Sequence, residues 1–158
     1  MTKNILITGA ATGLGRATVL KLAENGHNIA VVDFNVEEGE KTVALAKEAG
    51  ANALFIQADV SNEENVQNYV AKTIEAFGTI DVFFNNAGLM IPFRLLHEYD
   101  ENEYDRIMNV NVKGAFFGVK YVIPHMLEND GGTIVNTVSS NSFKPTAYNG
   151  VYSMSKHA

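Results

Sequence analysis

Cysteine is missing from all 158 residues, which excludes a disulfide framework and thiolate chemistry and suits the cytoplasm. Basic charge is also short: 12 Lys and Arg stand against 18 Asp and Glu, a formal net charge of −6. Duplex nucleic acid and anionic membrane surfaces both ask for a basic face, so neither is an expected partner. No stretch approaches the roughly 20 apolar residues of a membrane helix. The longest candidate, "VNVKGAFFGVKYVIPHM", is interrupted by Lys113, Lys120 and Pro124. The opening "MTKNILITGA" has too short an apolar run for a signal peptide. There is no internal repeat, low-complexity tract or linker. His27, His97, His125 and His157 are scattered without metal-ligand spacing, and the acidic run 98–105 lacks the glycine and periodicity of a calcium loop. No metal is expected.

What is present is a globular balance, 46% apolar and 19% charged, and one domain over residues 1–158 is expected. Short apolar runs alternate with longer amphipathic segments. Strands are predicted at 4–8, 28–34, 53–59, 80–86 and 132–138. Helices are predicted at 15–25, 36–50, 61–78 and 100–128, with a last one beginning near Tyr152. The third helix opens on Ser61 and Glu64, read as a capping box. Alternation of this kind implies an α/β fold: a doubly wound parallel sheet covered by helices on both faces. Strand order 3-2-1-4-5 fits, with a ligand crevice at the carboxyl ends of strands one and four.

"ITGAATGLGRA" joins the first strand to the first helix and spaces Gly9, Gly13 and Gly15 as GxxxGxG. Glycine lets backbone amides approach a pyrophosphate and permits positive φ, and the helix N-terminus adds partial positive charge. An acid, Asp33, closes the second strand, where it can accept both hydroxyls of an adenosine ribose. A 2′-phosphate there would meet a like charge. Phe34 follows, and no Arg or Lys adjoins Asp33 to hold a phosphate. The expected cofactor is therefore NAD rather than NADP. Arg16, past the last glycine, is expected to pack outside the phosphate site. Asp59, before Val60 and Ser61, is either a turn residue or an adenine contact.

With these motifs in order, the chain resembles the short-chain dehydrogenase/reductase family in its compact, single-domain, Rossmann-like branch. "TGAATGLG" (8–15), "NNAG" (85–88), "NVNVKGAFF" (109–117), Ser139 and the Tyr152-x-x-x-Lys156 pair carry the resemblance. It implies that Gly9, Gly13, Leu14, Gly15, Asp33, Phe34, Asp59, Val60, Asn86, Ala87 and Gly88 line the cofactor site, with Tyr152 and Lys156 reaching it as well. It implies Asn111 as the helix asparagine that holds a water in a proton relay. Asn109 competes for that role, and the Asn-x-x-Gly spacing to Gly114 selects Asn111. Ser139 is chosen over Ser140 because it follows Asn136 by three residues and precedes Tyr152 by thirteen.

The implied reaction is hydride transfer between nicotinamide and a secondary alcohol or ketone, with Ser139, Tyr152, Lys156 and Asn111 as the catalytic set. A tyrosine near its ordinary pKa of about 10 is a poor base at neutral pH, and moving it three units costs roughly 4 kcal/mol. A lysine ammonium about 4 Å away supplies ~4 kcal/mol at an effective dielectric near 20. The i, i+4 spacing of Tyr152 and Lys156 puts both on one helix face. Met90, Ile91, Phe93, Leu95 and Leu96 read either as a partly apolar substrate pocket or as packing residues. The resemblance also implies a C-terminal part absent here, which would complete the last helix, cover the fifth strand and supply subunit interfaces for a homo-oligomer. A nucleotide-binding module or inactive fragment, without turnover in the 158-residue form, is the alternative expectation.

Overall fold

The apolar runs form the strands of one sheet, whose two central runs at 4–8 and 28–33 are buried on both faces. The computed structural model describes residues 1–158. Strands β1 (Asn4–Thr8), β2 (Asn28–Asp33), β3 (Asn52–Gln57), β4 (Val82–Asn85) and β5 (Thr133–Asn136) form a single parallel sheet in the order β3-β2-β1-β4-β5. Register pairs Ile5 with Ile29 and with Val82, and Phe84 with Val135. Alternate residues feed opposite cores, as the period of two requires. Leu6, Ala30, Val32, Ile56 and Phe83 face one side, while Ile5, Ile7, Ile29, Val31 and Ala53 face the other.

Helices α1 (Gly13–Ala23) and α2 (Val36–Glu48) cover the second side through Val19, Ala23, Val43 and Ala46. Helices α3 (Glu63–Phe77) and α5 (Gly114–Glu128) cover the first through Val66, Tyr69, Val70, Phe117, Val122 and Met126. Fully burying each aliphatic side chain is worth about 1.5–3 kcal/mol, so these two layers hold the sheet. Strand β5 is the sheet edge and is largely exposed.

The sequence expectation of one long helix over 100–128 is met with an interruption. Helix α4 (Glu101–Met108) passes through a π-turn at Asn109–Lys113 into α5. Such turns insert one residue and rotate the side chains that follow. Gly114, next in line, lets the helix press on β3's exit: a Cβ there would lie 2.9 Å from Val60 Cγ2. Helix α6 (Gly150–His157) starts two residues before Tyr152.

Two local expectations are corrected. Helix α3 is capped by Asn62, whose Oδ1 accepts the Asn65 amide at 3.0 Å. Ser61 is not the cap, because its hydroxyl donates to Asp59 Oδ1 at 2.7 Å and the helix begins one residue later. Helix α1 begins at Gly13, two residues earlier than periodicity suggests, because glycine carries no side chain to mark the first turn.

Candidate functional site

The β1–α1 loop and the first turn of α1 are one structure. Gly9 and Gly13 have φ of +64° and +52°, values that disfavour other residues. Gly15 is held by contact rather than φ: a Cβ on it would stand 2.0 Å from Gly9 O. Thr12 is the N-cap but makes no side-chain cap bond, so no capping side chain takes the first-turn amides of α1. Those amides and the dipole suit a phosphate. Gly9, Thr12, Gly13, Leu14, Gly15, Asn86 and Gly88 line a cavity of 270 Å³ at this point.

A second cavity of 470 Å³ shares Gly9 and Gly88 with the first and runs on to Asp33, Phe34, Ala58, Asp59, Val60 and Ser61. The two form a continuous groove across the carboxyl ends of β1, β2 and β3. Asp33 is fixed within it. Its Oδ2 accepts the Ala11 amide at 2.9 Å and its Oδ1 the Asn35 amide at 3.0 Å. Each carboxylate oxygen retains a lone pair for a further donor. Asp59 does serve the turn, accepting the Ser61 amide at 2.9 Å, and it also lines the cavity beside Val60. Arg16 turns away from the loop, donating to Thr42 Oγ1 at 2.7 Å and to the Glu38 carboxylate, whose pKa it holds below the usual range.

The "NNAG" segment is a junction between strands. Asn86 Nδ2 donates to Thr8 O at 3.0 Å and Gly9 O at 3.2 Å, while Asn86 Oδ1 accepts from Thr137 Oγ1 at 2.9 Å. Thr8 Oγ1 accepts the amides of Asn86 and Ala87 at 3.0 and 3.1 Å. Ala87 crosses Gly9 so closely that a Cβ on Gly9 would be 2.8 Å from its Cα.

Beyond Gly88 the groove meets α6. A Cβ on Gly88 would sit 3.4 Å from Asn111 Oδ1 and 3.5 Å from Lys156 Nζ, so these three converge. Asn111 is buried. Its Oδ1 accepts the Leu89 amide at 2.8 Å, and its Nδ2 donates to Leu89 O at 3.0 Å and Ser155 Oγ at 2.9 Å. Asn109 is exposed and lines the larger cavity instead, so the two asparagines of "NVN" face different neighbours. Lys156 Nζ lies 5.9 Å from the Tyr152 ring centroid and donates to Thr137 O at 3.4 Å. Burial pushes the Lys156 ammonium below its ordinary pKa. Ser139 caps a short 3-10 turn (Ser140–Ser142), accepting the Asn141 amide at 3.2 Å, whereas Ser140 is exposed within the turn.

The apolar segment after "NNAG" divides. Ile91 packs with Ile107 and Val151, while Met90, Phe93, Leu95 and Leu96 are exposed. Sequence reasoning overlooked Arg106, which lines the larger cavity with Asp33 and makes no salt bridge within the chain. No sequence signal marked it, because its neighbours Asn109 and Val110 are lining residues only in the folded chain. It also overlooked Thr8 and Thr137, whose hydroxyls are ordinary strand-end polar groups until β1, β4 and β5 come together.

The fold and groove define a doubly wound α/β domain with an anion-ready helix terminus and, next to the Gly88 that lines the same cavity, a half-buried lysine. Comparison with known proteins gives the family. The sequence model described as short chain dehydrogenase matches residues 3–158. An uncharacterised oxidoreductase of Thermotoga maritima is 40% identical over 99% of this chain and 61% of its own. Levodione reductase of Leifsonia aquatica is 37% identical over 97% of this chain and 58% of its own. A crystal structure of NAD⁺-bound xylitol dehydrogenase superposes with TM-score 0.95 at 39% identity, covering 99% of this chain and 60% of that one. The chain belongs to the short-chain dehydrogenase/reductase family. It spans about three-fifths of the length of these relatives.

Proposed function

We propose that this chain carries the cofactor site and reacting pair of an NAD(H)-dependent dehydrogenase or reductase acting on a secondary alcohol or ketone. The observation that carries the reading is the partly buried Lys156 ammonium beside Tyr152, next to Gly88, which lines the same groove as Asp33. The glycine loop and the uncapped α1 terminus fit a pyrophosphate, and Asp33 fits a ribose diol. NAD is preferred over NADP because Asp33 would repel a 2′-phosphate. Levodione reductase and xylitol dehydrogenase, whose names pair a carbonyl reduction with an alcohol oxidation, support this reaction class.

When bound, the nicotinamide supplies or accepts the hydride. Tyr152 takes the hydroxyl proton of the alcohol, or returns it to the carbonyl, as general acid/base. Lys156 stabilises the phenolate that forms, and its partial burial lets the ammonium act with less screening. Ser139 hydrogen-bonds the substrate oxygen and orients it. Asn111 has both Nδ2 hydrogens donated, leaving the second lone pair of Oδ1 for a relay water. The exposed apolar group of Met90, Phe93, Leu95 and Leu96 suits a substrate that is partly apolar.

The test is Tyr152→Phe in the natural protein, assayed by NADH absorbance with a panel of secondary alcohols. Loss of turnover with NADH binding intact is the expected result. Retained turnover sinks the assignment of Tyr152. NADH binding with no turnover in the unsubstituted chain would identify a nucleotide-binding module instead.

A further inference from the structure

Two serines in "YSMSK" are buried, each 4% exposed, although they belong to an otherwise mixed helix face. At about 100° per residue, Ser153 and Ser155 fall roughly 80° to either side of the stripe shared by Tyr152 and Lys156. Each meets a different wall. Ser155 Oγ accepts from Asn111 Nδ2 at 2.9 Å and donates to the Tyr152 carbonyl at 2.8 Å. Ser153 Oγ donates to Asn141 Oδ1 at 3.2 Å. Asn141 is itself buried, accepts the Thr146 amide at 2.9 Å, and gives its own amide to Ser139 Oγ at 3.2 Å. One serine therefore ties α6 to Asn111, and the other ties it to the turn that holds Ser139.

We propose that Ser153 and Ser155 are positioning residues that set Tyr152 and Lys156 against Ser139 and Asn111, one hydroxyl for each. This rests on the reading of Tyr152 and Lys156 as the reacting pair. Helix α6 has eight residues, too few for independent stability. Its placement therefore depends on side contacts, and the buried Val151 with the long, flexible Lys156 Nζ–Thr137 O bond at 3.4 Å restrains rotation about the axis only weakly. Two hydrogen bonds on opposite flanks remove that rotation. Alanine at either site leaves a buried amide atom short of a partner while removing only one oxygen.

The two bonds predict different effects. Ser155→Ala removes one of the two acceptors of Asn111 Nδ2, leaving only Leu89 O, and loosens the turn bearing Lys156. It lowers kcat about tenfold, the size of one buried hydrogen bond, with KM for NAD little changed. Ser153→Ala releases the Ser139 turn and raises KM for the alcohol by about the same factor. Threonine at either position keeps the hydroxyl and restores most of the loss.

A second readout needs no turnover. In the natural protein, Lys156 is labelled with acetic anhydride and followed by peptide mass spectrometry, with exposed Lys3 as reference. Ser155→Ala should label Lys156 several-fold faster, and Ser153→Ala should not. Wild-type kinetics and labelling in both alanine variants would overturn the proposal. So would a loss of kcat that parallels a fall in Tm and that threonine does not rescue, since that marks a purely structural role. If the unsubstituted protein turns over no alcohol yet Ser155→Ala accelerates labelling, the reaction reading fails while the positioning contact stands.

Discussion

Asp33 and Ala11, twenty-two residues apart, are joined by a 2.9 Å hydrogen bond from the Ala11 amide to Asp33 Oδ2. The acid proposed to recognise the ribose thus also braces the loop proposed to hold the phosphates. Asp33→Asn keeps the shape but loses the charge and presents a donor where acceptors are needed. Hydrogen bonds to charged groups are worth about 1.5–3 kcal/mol, so NADH affinity should fall about 10- to 100-fold. NADPH affinity should fall less, because a like charge is removed. Calorimetric titration with both cofactors checks this, and undiminished NADH affinity would refute the role.

Gly13 and Gly15 should respond differently to alanine. Nothing lies within 4 Å of a Cβ on Gly13, so only its positive φ opposes the change. That costs about 1–2 kcal/mol. On Gly15 a Cβ would overlap Gly9 O, and the helix must move off the loop. We expect Gly15→Ala to cost at least about 3 kcal/mol and to abolish NADH binding. Thermal melts of the two variants, measured together, give the order.

Tyr69 is fully buried in the core between α3, α5 and the sheet, and its hydroxyl has no partner within the protein. Tyr69→Phe removes that unsatisfied group and should stabilise the protein by about 1 kcal/mol at pH 7. Burial also raises the Tyr69 pKa far above its ordinary value. An acid whose folded pKa is raised keeps its proton when folded and sheds it when unfolded. The Tyr69 contribution to stability is therefore constant below about pH 10 and falls above it, where the unfolded chain releases the proton. Urea melts between pH 8 and 11 should show this alkaline loss reduced in Tyr69→Phe.

Lys156 carries the opposite linkage. Its folded pKa is lowered by burial, so the native chain bears the cost of a half-buried ammonium at neutral pH. That cost is relieved as pH rises through the lowered value toward the ordinary 10.5. Lys156→Met should therefore be more stable than the parent at pH 7, with the gap closing as pH approaches 10.5. A gap that widens with pH would show that the ammonium is stabilised rather than strained by its surroundings.

The strand and helix alternation, the glycine spacing and the Tyr152–Lys156 face were legible because each depends on local periodicity or on backbone sterics, and the strand order followed from the few topologies that right-handed crossovers allow. A buried parallel strand needs a continuous apolar run, and the β1–α1 turn needs glycine wherever φ is positive or two backbones cross. Element ends were less legible. Ser61 and Asn62 are both able caps, and the choice fell to Asn62 only because Asp59 engages Ser61. The π-turn left no mark in "NVNVKG", since its residues are as helical in pattern as their neighbours.

By itself, then, the sequence determined the architecture and the family, because periodicity and motif spacing are properties of the chain taken in order. Tertiary structure alone decided what the polar side chains do. Asn86 joins three strands, Asn111 bridges Leu89 and Ser155, and Ser153 reaches the Ser139 turn through Asn141. Arg106 comes to share a cavity with Asp33 only in the folded chain. Hydrogen-bond partners are chosen by distance and angle in the folded state, among groups that lie far apart along the chain and have equivalent chemistry before it folds.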